Sequence, residues 1–338
     1  MDRVRIGIIG LGRFSERHLA AWSSLGDVEV VAVCSRSRER AEEIAGRFHV
    51  RNKYTDFLEM LDEEALDAVD VVTADHEHTA PVLAALEAGR HVLVEKPIAT
   101  TLEEADCMIG RARETGKILM VGHVLRFDPR YFIAKERISA GEVGALGSVF
   151  SWRTLGQHMY DYYTYGCPLL GAMVHDVDLL LWYTGQEVRE VSASGCRALG
   201  RPLADTLWAM LKFEEGTVGV VHCCWLNPRG APSHMDAGLE IRGAKATIQI
   251  RDPDRGVSVW SENASENPFS ITWGRAYGRL LGPLKEQLAY FAARVRDPSL
   301  PEIQSPVEAR QALQVSLDIL NQLEDQGVPT GLRGIPQG

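Results

Sequence analysis

The chain has 338 residues, and 45% of them are hydrophobic, which is enough apolar material for two well-packed domains. Its formal net charge of -10 argues against a surface for nucleic acid or for anionic membranes, so we expect neither partner. The sequence contains no CxxC pair, no signal peptide and no apolar run long enough to span a bilayer, which predicts reduced thiols and a cytoplasmic location.

The first strand and the loop after it predict a dinucleotide site. The apolar run Val4–Ile9 leads into Gly10–Ser15, GLGRFS, and then into a helical stretch that continues to Leu25. Two glycines allow a tight turn whose backbone N–H groups, with the positive end of the helix, approach a pyrophosphate. Serine replaces the third glycine of the GxGxxG pattern and is small enough for close helix–strand packing, although a glycine turn without a ligand gives the same degenerate match. We assign four residues here to the cofactor: Gly10, Gly12, Arg13 and Phe14.

The second strand, Val28–Cys34, ends on Ser35 and Arg36. A site for NAD normally carries an acidic residue here, which accepts hydrogen bonds from the ribose hydroxyls. Hydroxyl and guanidinium groups suit a 2′-phosphate instead, so the sequence favours NADP as the NAD(P) cofactor. An arginine that stacks on adenine, or one that is a solvated loop charge, is the alternative.

The third strand, Ala68–Thr73, ends at the sequence ADHEH, which precedes a helix over Thr79–Ala88. His76 and His78 lie two residues apart in a turn, and no second His or Cys pair lies at a ligand spacing, so we expect no metal. The cofactor residues predicted at this strand end are Thr73, Ala74, Asp75 and His78.

The segment His91–Pro97, HVLVEKP, is predicted to be a buried strand that ends on a charged pair and is stopped by proline. Ligands collect at the carboxyl ends of the strands in an open parallel sheet, so Lys96 is a candidate acid or base. We also assign Glu95 and Lys96 to the cofactor site.

A capping box at Thr101 starts a helix that continues to Thr115, and Lys117–Val121 is the fifth strand. Five apolar strands separated by helices predict an α/β fold, with a Rossmann doubly wound parallel sheet over residues 1–122.

Beyond Gly122, strand-like runs follow one another, which predicts a second α/β domain over residues 123–330 with a mostly antiparallel open sheet. These runs are Ser148–Thr154, Glu187–Ser194, Thr206–Phe213, Thr217–Trp225, Ala237–Arg242 and Ala246–Ile250. Two helices close the chain, one over Arg279–Arg296 and one that includes Gln311–Leu323 and has Ser305 as its N-cap. We expect the tail from Gly327 to be loose.

One helix interrupts the strands of the second domain and carries the sequence HDVD from His175 to Asp178. The two residues lie three apart and share a helix face, so the carboxylate can orient or balance an imidazole that acts as acid or base. A histidine that caps the helix or bridges polar groups at its start is the structural alternative.

The segment Thr154–Leu170 contains four tyrosines, among them Tyr160 and Tyr163, and their hydroxyls and ring faces suit a sugar or cyclitol. Tyrosine is also enriched at interfaces, so a subunit contact is the alternative. Arg126 and Arg153 are candidates to bind a carboxylate or phosphate on the substrate. The alternative is that they lie on a solvated face, where arginines are commoner.

Five motifs occur in one order along nearly the whole chain. They are the glycine loop with His18 after it, Thr73–His78, Glu95-Lys96-Pro97, Gly122–Pro129 and His175–Asp178. Together they resemble the glucose–fructose oxidoreductase, inositol dehydrogenase and MocA family of NAD(P)-dependent oxidoreductases. The resemblance implies an N-terminal Rossmann domain, a C-terminal domain whose open sheet often builds oligomer contacts, and a substrate pocket between them. It therefore also implies a homodimer or homotetramer.

The resemblance implies catalytic roles for Lys96 and His175. In the family, the lysine that matches Lys96 holds the reacting hydroxyl and assists its proton, and the histidine that matches His175 serves as acid and base. Many polyol-oxidising relatives place an aspartate four residues before that histidine, where this chain has Gly171, so either the proton relay is shorter or the substrate differs.

The implied function is hydride transfer between a nicotinamide cofactor and a secondary alcohol or ketone of a sugar, cyclitol or related polyol. The alternative is a nucleotide-bound sensor or scaffold that kept the fold and lost the turnover. We assign Arg126 to the cofactor, and the predicted substrate residues are Lys96, His123, Arg153, Tyr160, Tyr163, His175 and Asp178.

Overall fold

The computed structural model describes residues 3–160, 167–252, 259–260, 265–266, 275–276 and 279–332. The chain forms two compact units, one of residues 1–127 and 275–310 and one of residues 128–274 and 311–337. Among the described residues, no helix is both long enough and apolar enough to cross a lipid bilayer.

The first unit contains a six-stranded parallel sheet in the order β3-β2-β1-β4-β5-β6. Its strands are β1 (Val4–Ile9), β2 (Val28–Cys34), β3 (Asn52–Tyr54), β4 (Ala68–Val71), β5 (His91–Val94) and β6 (Leu119–Val121). Because the chain reverses direction across the sheet at β1, a crevice opens at the carboxyl ends of β1 and β4. The doubly wound Rossmann sheet expected from the apolar strand pattern is confirmed, with one strand more than predicted.

Five helices connect these strands: α1 (Ser15–Trp22), α2 (Arg38–Phe48), α3 (Phe57–Glu63), α4 (Thr79–Glu87) and α5 (Leu102–Thr115). Two short 3-10 helices, Asp75–Glu77 and Val124–Phe127, follow β4 and β6. The capping box predicted at Thr101 is present, since its side chain accepts from the Glu104 N–H and the Glu104 carboxylate accepts from the Thr101 N–H.

The second unit contains a six-stranded sheet in the order β12-β11-β7-β10-β9-β8. Its elements begin with α6 (Pro129–Ser139), β7 (Leu146–Gly156), α7 (Gln157–Tyr160) and α8 (Pro168–Thr184) and continue with β8 (Val188–Cys196), β9 (Thr206–Phe213), β10 (Val218–Asn227), β11 (Met235–Gly243) and β12 (Thr247–Asp252). All neighbouring strands are antiparallel except β7 and β10, so the mostly antiparallel sheet is confirmed. Helix α8 packs against β7 and β10, and its buried apolar residues form the core of this unit.

The C-terminal part differs from the expectation at one helix. Residues 279–282 were predicted to be helical, but Arg279–Leu280 pairs with Arg275–Ala276 as the two-residue strands β16 and β15, after β13 (Val259–Trp260) and β14 (Ser265–Glu266). Helix α9 (Pro283–Arg296) begins only after Gly282, whose φ of 107° no helical residue adopts.

Three contacts fix the remaining C-terminal elements. In the first unit, α9 packs on α1, with the Trp22 and Phe291 ring centroids 6.5 Å apart. The predicted cap of α10 (Pro306–Asp325) is present, because Ser305 Oγ accepts from the Glu308 N–H at 3.2 Å. The described part of the tail is bound rather than loose, since the Pro329 carbonyl accepts from the Ala204 N–H at 2.6 Å.

Candidate active site

The glycine loop after β1 forms a cradle with no room for a side chain at its first glycine. Gly10 has a φ of 94°, and a Cβ there would lie 2.6 Å from the Thr73 backbone nitrogen. A Cβ on Gly12 would meet nothing within 4 Å, so the space above the loop is open. A tight glycine turn that leads into a helix N-terminus beside open space fits a pyrophosphate. The residues present therefore fit a dinucleotide cofactor.

Two polar side chains hold this loop in place. Ser15 is fully buried, and its Oγ donates to the Gly12 carbonyl at 2.6 Å, so serine serves in the third position of the glycine pattern. Arg40 donates from Nε to the Leu11 carbonyl at 2.9 Å and from Nη2 to Glu16 Oε1 at 2.7 Å. Hydrogen bonds from Arg40 and Arg47 lower the pKa of Glu16. No local sequence pattern pointed to Arg40, because its partners Leu11 and Glu16 lie 29 and 24 residues away in the sequence.

The edge formed by the ends of β2 and β4 carries an ion pair that sequence reasoning missed. Arg36 Nη1 lies 2.6 Å from Glu77 Oε1, with the arginine side chain 86% exposed and the glutamate side chain 30% exposed. Thr73 Oγ1 donates to the Glu77 carbonyl at 3.2 Å, which fixes the glutamate backbone beside the strand end. A cofactor 2′-phosphate at Arg36 would therefore have to compete with a carboxylate that is already bound.

The charged pair after β5 lies where the strand pattern predicted it. Glu95 is buried, and its N–H donates to the Val71 carbonyl, which joins it to the end of β4. Lys96 is partly exposed, and its N–H donates to Glu95 Oε2 at 3.2 Å. His78 is 1% exposed, and its Nδ1 lies 3.0 Å from the Pro97 carbonyl oxygen, so it supports the same segment from the loop after β4.

A buried histidine bridges two carboxylates behind this pair. His18 Nδ1 lies 2.8 Å from Asp70 Oδ2, and His18 Nε2 lies 3.2 Å from Glu95 Oε1. Trp22 Nε1 donates to the same Asp70 oxygen at 2.7 Å. Burial would lower the pKa of His18, but the charge and hydrogen bond of Asp70, with those of Glu95, raise it to about 10. Burial would raise the pKa of Glu95, but His18 and Lys96 hold it below its usual value.

The segment after β6 places His123 and Arg126 inside the first unit. Each is 1% exposed. Arg126 Nη1 donates to the Ile303 carbonyl and to Glu308 Oε1, both at 3.1 Å. Nη1 of this guanidinium therefore binds the C-terminal segment of the same unit.

In the second unit, α8 presents His175 from an otherwise buried surface. Its neighbours in the helix from Pro168 to Leu180 are all buried, whereas His175 is partly exposed. Asp178, one turn further along, is 1% exposed. Gly171, one turn before, is buried, so the helix offers no carboxylate at that position.

Arg153 on β7 is bound to the residue next to His175. Its Nε lies 2.8 Å from Asp176 Oδ2 and its Nη2 lies 3.1 Å from Asp176 Oδ1, while Ser151 Oγ donates to the same Oδ1 at 2.6 Å. The two charged side chains are 7% and 1% exposed. This two-pronged buried pair fixes α8 against β7 next to the histidine.

The tyrosine-rich segment is described only in part. Tyr160 is buried, its hydroxyl donates to the Leu203 carbonyl at 2.9 Å, and its ring lies under the Arg201 guanidinium at 4.5 Å. Tyr163 lies outside the described residues. Within the described ranges, no group of three or more His, Cys, Asp or Glu side chains is arranged to hold a metal ion.

Two family patterns match this chain. Residues 4–123 match the GFO/IDH/MocA pattern described as an oxidoreductase family with an NAD-binding Rossmann fold. Residues 131–249 match the GFO/IDH/MocA C-terminal domain.

Named proteins and a solved structure are similar to the chain as well. The scyllo-inositol 2-dehydrogenase (NAD(+)) of Bacillus subtilis is 28% identical over 98% of this chain and 96% of its own length. The 4-carboxy-2-hydroxymuconate-6-semialdehyde dehydrogenase of a Sphingobium species is 36% identical over 64% of this chain and 70% of its own length. The crystal structure of scyllo-inositol dehydrogenase from Lactobacillus casei, with bound NAD(H) and scyllo-inositol, shares the fold, with a TM-score of 0.80 and 20% identity over 96% of this chain and 98% of its own.

Proposed function

Because this chain belongs to the GFO/IDH/MocA family of oxidoreductases, we propose that it transfers hydride between a nicotinamide cofactor and a secondary alcohol or ketone of a polyol, with inositols as the first candidates. It is an NAD(P)-dependent dehydrogenase that acts on CH–OH groups. Relatives with named activities support turnover, and none of the findings supports a sensor or scaffold that lacks it.

The observation that carries this proposal is the placement of Lys96 at the carboxyl end of β5, in the same sheet as the glycine loop. When bound, the nicotinamide supplies the acceptor or donor of the hydride. The hydroxyl proton must leave as the hydride leaves, because a protonated ketone is a high-energy product. We assign this work to Lys96, whose amine holds the hydroxyl and takes its proton.

His175 is the second proton-handling group in the proposal. It is the partly exposed residue in a buried stretch of α8, which suits an imidazole that must reach a small molecule. Arg153 was expected to contact substrate. Its bonds to Asp176 favour a supporting role instead, in which it fixes the backbone next to His175. We retain His123, Tyr163 and Asp178 as proposed substrate contacts.

We propose NAD as the preferred cofactor. The sequence-based preference for NADP is not supported, because the matching family pattern is described as NAD-binding and the related inositol dehydrogenase is named for NAD(+). The Arg36–Glu77 pair gives a physical reason, since it neutralises the guanidinium and places a carboxylate where a 2′-phosphate would be repelled.

Substitution of Glu77 tests this cofactor proposal. Glu77→Gln removes the competing charge and should raise the affinity for NADP relative to NAD by about 10-fold, as measured by calorimetric titration of both oxidised cofactors. Glu87→Gln at the carboxyl end of α4 is the matched control and should leave the ratio unchanged. Tighter binding of NADP than of NAD by the unmodified protein would contradict the proposal.

We propose that the open face of the second unit's sheet joins copies of the chain into a homodimer or homotetramer. Phe150, Trp152, Trp208 and His222 form a continuous stack on this face, with ring centroids 4.1 to 6.0 Å apart. Trp208 is 48% exposed and Met210 beside it is 42% exposed. Large apolar groups exposed together mark an interaction surface. Sedimentation velocity of the unmodified protein measures whether it is a dimer or tetramer in solution, and a monomer would contradict the proposal.

Two further expectations stay proposals. We propose a cytoplasmic location, which the cysteine pattern supports and which fractionation of cells tests. We also retain the domain division at residue 122, with residues 123–330 as the substrate-binding and oligomerisation domain, and limited proteolysis with mass analysis of the fragments tests it.

A panel of inositols, other cyclitols and sugars, each supplied with NAD and with NADP, tests the proposed function. Absorbance of the reduced nicotinamide reports turnover directly. We expect turnover on at least one cyclitol with NAD. Tight binding of NADH with no turnover on any compound of the panel would favour the alternative, a nucleotide-bound sensor or scaffold.

A further inference from the structure

The cluster behind β5 buries three ionisable side chains together, although charged groups are usually exposed to water. His18 and Asp70 are fully buried, and Glu95 is 8% exposed. Two carboxylates that far from water need a cation between them, and both ring nitrogens of His18 face carboxylate oxygens at hydrogen-bond distance. Both nitrogens therefore carry protons, and the imidazolium lies between the two carboxylates and offsets part of their charge.

Hydrogen bonds connect His18 to the Lys96 segment through Glu95. Asp70 Oδ2 accepts from both His18 and Trp22, so the ring is held from behind. On its other side, His18 Nε2 donates to Glu95 Oε1, and Glu95 Oε2 accepts from the Lys96 N–H at 3.2 Å. A continuous chain of charged hydrogen bonds thus runs from α1 to the residue proposed to move the proton.

Gly122 closes the remaining side of the Glu95 carboxylate. A Cβ at Gly122 would lie 2.7 Å from Glu95 Oε1 and 2.9 Å from its carboxyl carbon. The two hydrogen bonds from His18 and Lys96, with Gly122 close by, restrict the orientation of the carboxylate. Such rigid support beneath a reacting group is what preorganisation of an active site requires.

We propose that His18 is a positioning residue of this dehydrogenase, whose buried imidazolium, held by Asp70, fixes the Glu95 carboxylate and through it the Lys96 segment. The inference rests on the proposed function, in which Lys96 handles the proton. His18 touches neither substrate nor cofactor in this scheme and acts only through Glu95.

Two variants remove the bridge in different ways. His18→Gln removes the cation, and Asp70→Asn removes the charge that holds it, so the second variant serves if the first does not fold. Each should lower kcat about 10-fold to 100-fold, while the dissociation constant for NADH stays within about threefold of the unmodified value. Leu19→Ala is the matched control, because Leu19 is the next residue of α1, is fully buried and makes only packing contacts. It should lower the melting temperature and leave kcat at a temperature well below melting unchanged.

Coupling to Lys96 separates positioning from general damage. In a Lys96→Met background, His18→Gln should cause no further loss of the residual turnover, because its effect passes through the lysine. An equal fractional loss in both backgrounds, or an unchanged kcat in folded His18→Gln, would overturn the proposal.

A second readout is independent of turnover and so distinguishes failure of this inference from failure of the proposed function. The rate at which an acylating reagent labels Lys96, resolved by peptide mass spectrometry, should change about threefold or more in His18→Gln and in Asp70→Asn but not in Leu19→Ala. An unmodified protein that turns over no polyol contradicts the proposed function. A Lys96 labelling rate that is identical in the unmodified and His18→Gln proteins contradicts the positioning role.

Discussion

Asp176→Asn should destabilise the protein strongly, because it leaves a buried guanidinium without its counter-charge. Arg153 makes two hydrogen bonds to Asp176, at 2.8 and 3.1 Å, and the two side chains are 7% and 1% exposed. Removal of one partner of a buried ion pair costs about 3–5 kcal/mol. The amide of asparagine keeps one acceptor for Arg153 and Ser151, so we expect a loss of about 3 kcal/mol, at the lower end.

Urea unfolding followed by circular dichroism measures this loss. The double variant Arg153→Met with Asp176→Leu removes both charges and keeps apolar bulk, so it should recover most of the lost free energy. Arg242→Gln is the surface control on the same sheet, because Arg242 pairs with Glu240 while 60% exposed, and solvent screens such a pair so that it contributes little to stability. A loss in Asp176→Asn no larger than in Arg242→Gln would refute the assignment of this pair as a buried structural clamp.

Two further predictions concern the Glu95 cluster. His18 has its pKa raised from 6.5 to about 10 in the folded protein, so its stabilising contribution is complete below pH 6.5 and is lost as the pH rises through about 10. Over that window the unfolding free energy of the unmodified protein should fall relative to that of His18→Gln by about 1 kcal/mol per pH unit. Urea titrations of both proteins at several pH values measure this. The same dependence of the unfolding free energy on pH in both proteins would disprove it. Gly122→Ala should cost about 1–3 kcal/mol and lower kcat, because its Cβ would lie 2.7 Å from Glu95 Oε1. Gly110→Ala in α5, where a Cβ meets nothing within 4 Å, should be neutral or stabilising, and equal effects of the two alanines on stability would contradict the packing argument.

Local sequence signals predicted the first unit's frame well. Apolar β-branched runs such as Val4–Ile9 and His91–Val94 form the central strands, and the caps at Thr101 and Ser305 start their helices as expected. These signals succeed because they depend on neighbouring residues only. The strand Asn52–Tyr54 was missed, since it has three residues and none of them is buried, so it carries no apolar pattern.

Only those residues of the candidate site that directly follow a strand could be placed from the sequence. Lys96 and the glycine loop lie at the carboxyl edge because the sheet is parallel. The partners of these residues were not predictable, since His18 lies 52 residues from Asp70 and 77 residues from Glu95 in the sequence. The ion pair between Arg36 and Glu77 likewise depends on the fold. The charge of Arg36 alone favoured NADP, a preference that the comparisons do not support.

Turnover of Lys96→Met on the best substrate of the unmodified protein tests the central claim most directly. We predict that the variant folds and binds NADH normally but turns over about 10²-fold more slowly or worse, the usual scale for a lost proton-transfer group. Lys117→Met, which replaces a lysine just before the amino end of β6, is the matched control and should keep normal turnover. Near-normal turnover by a folded Lys96→Met protein that binds NADH would contradict the account.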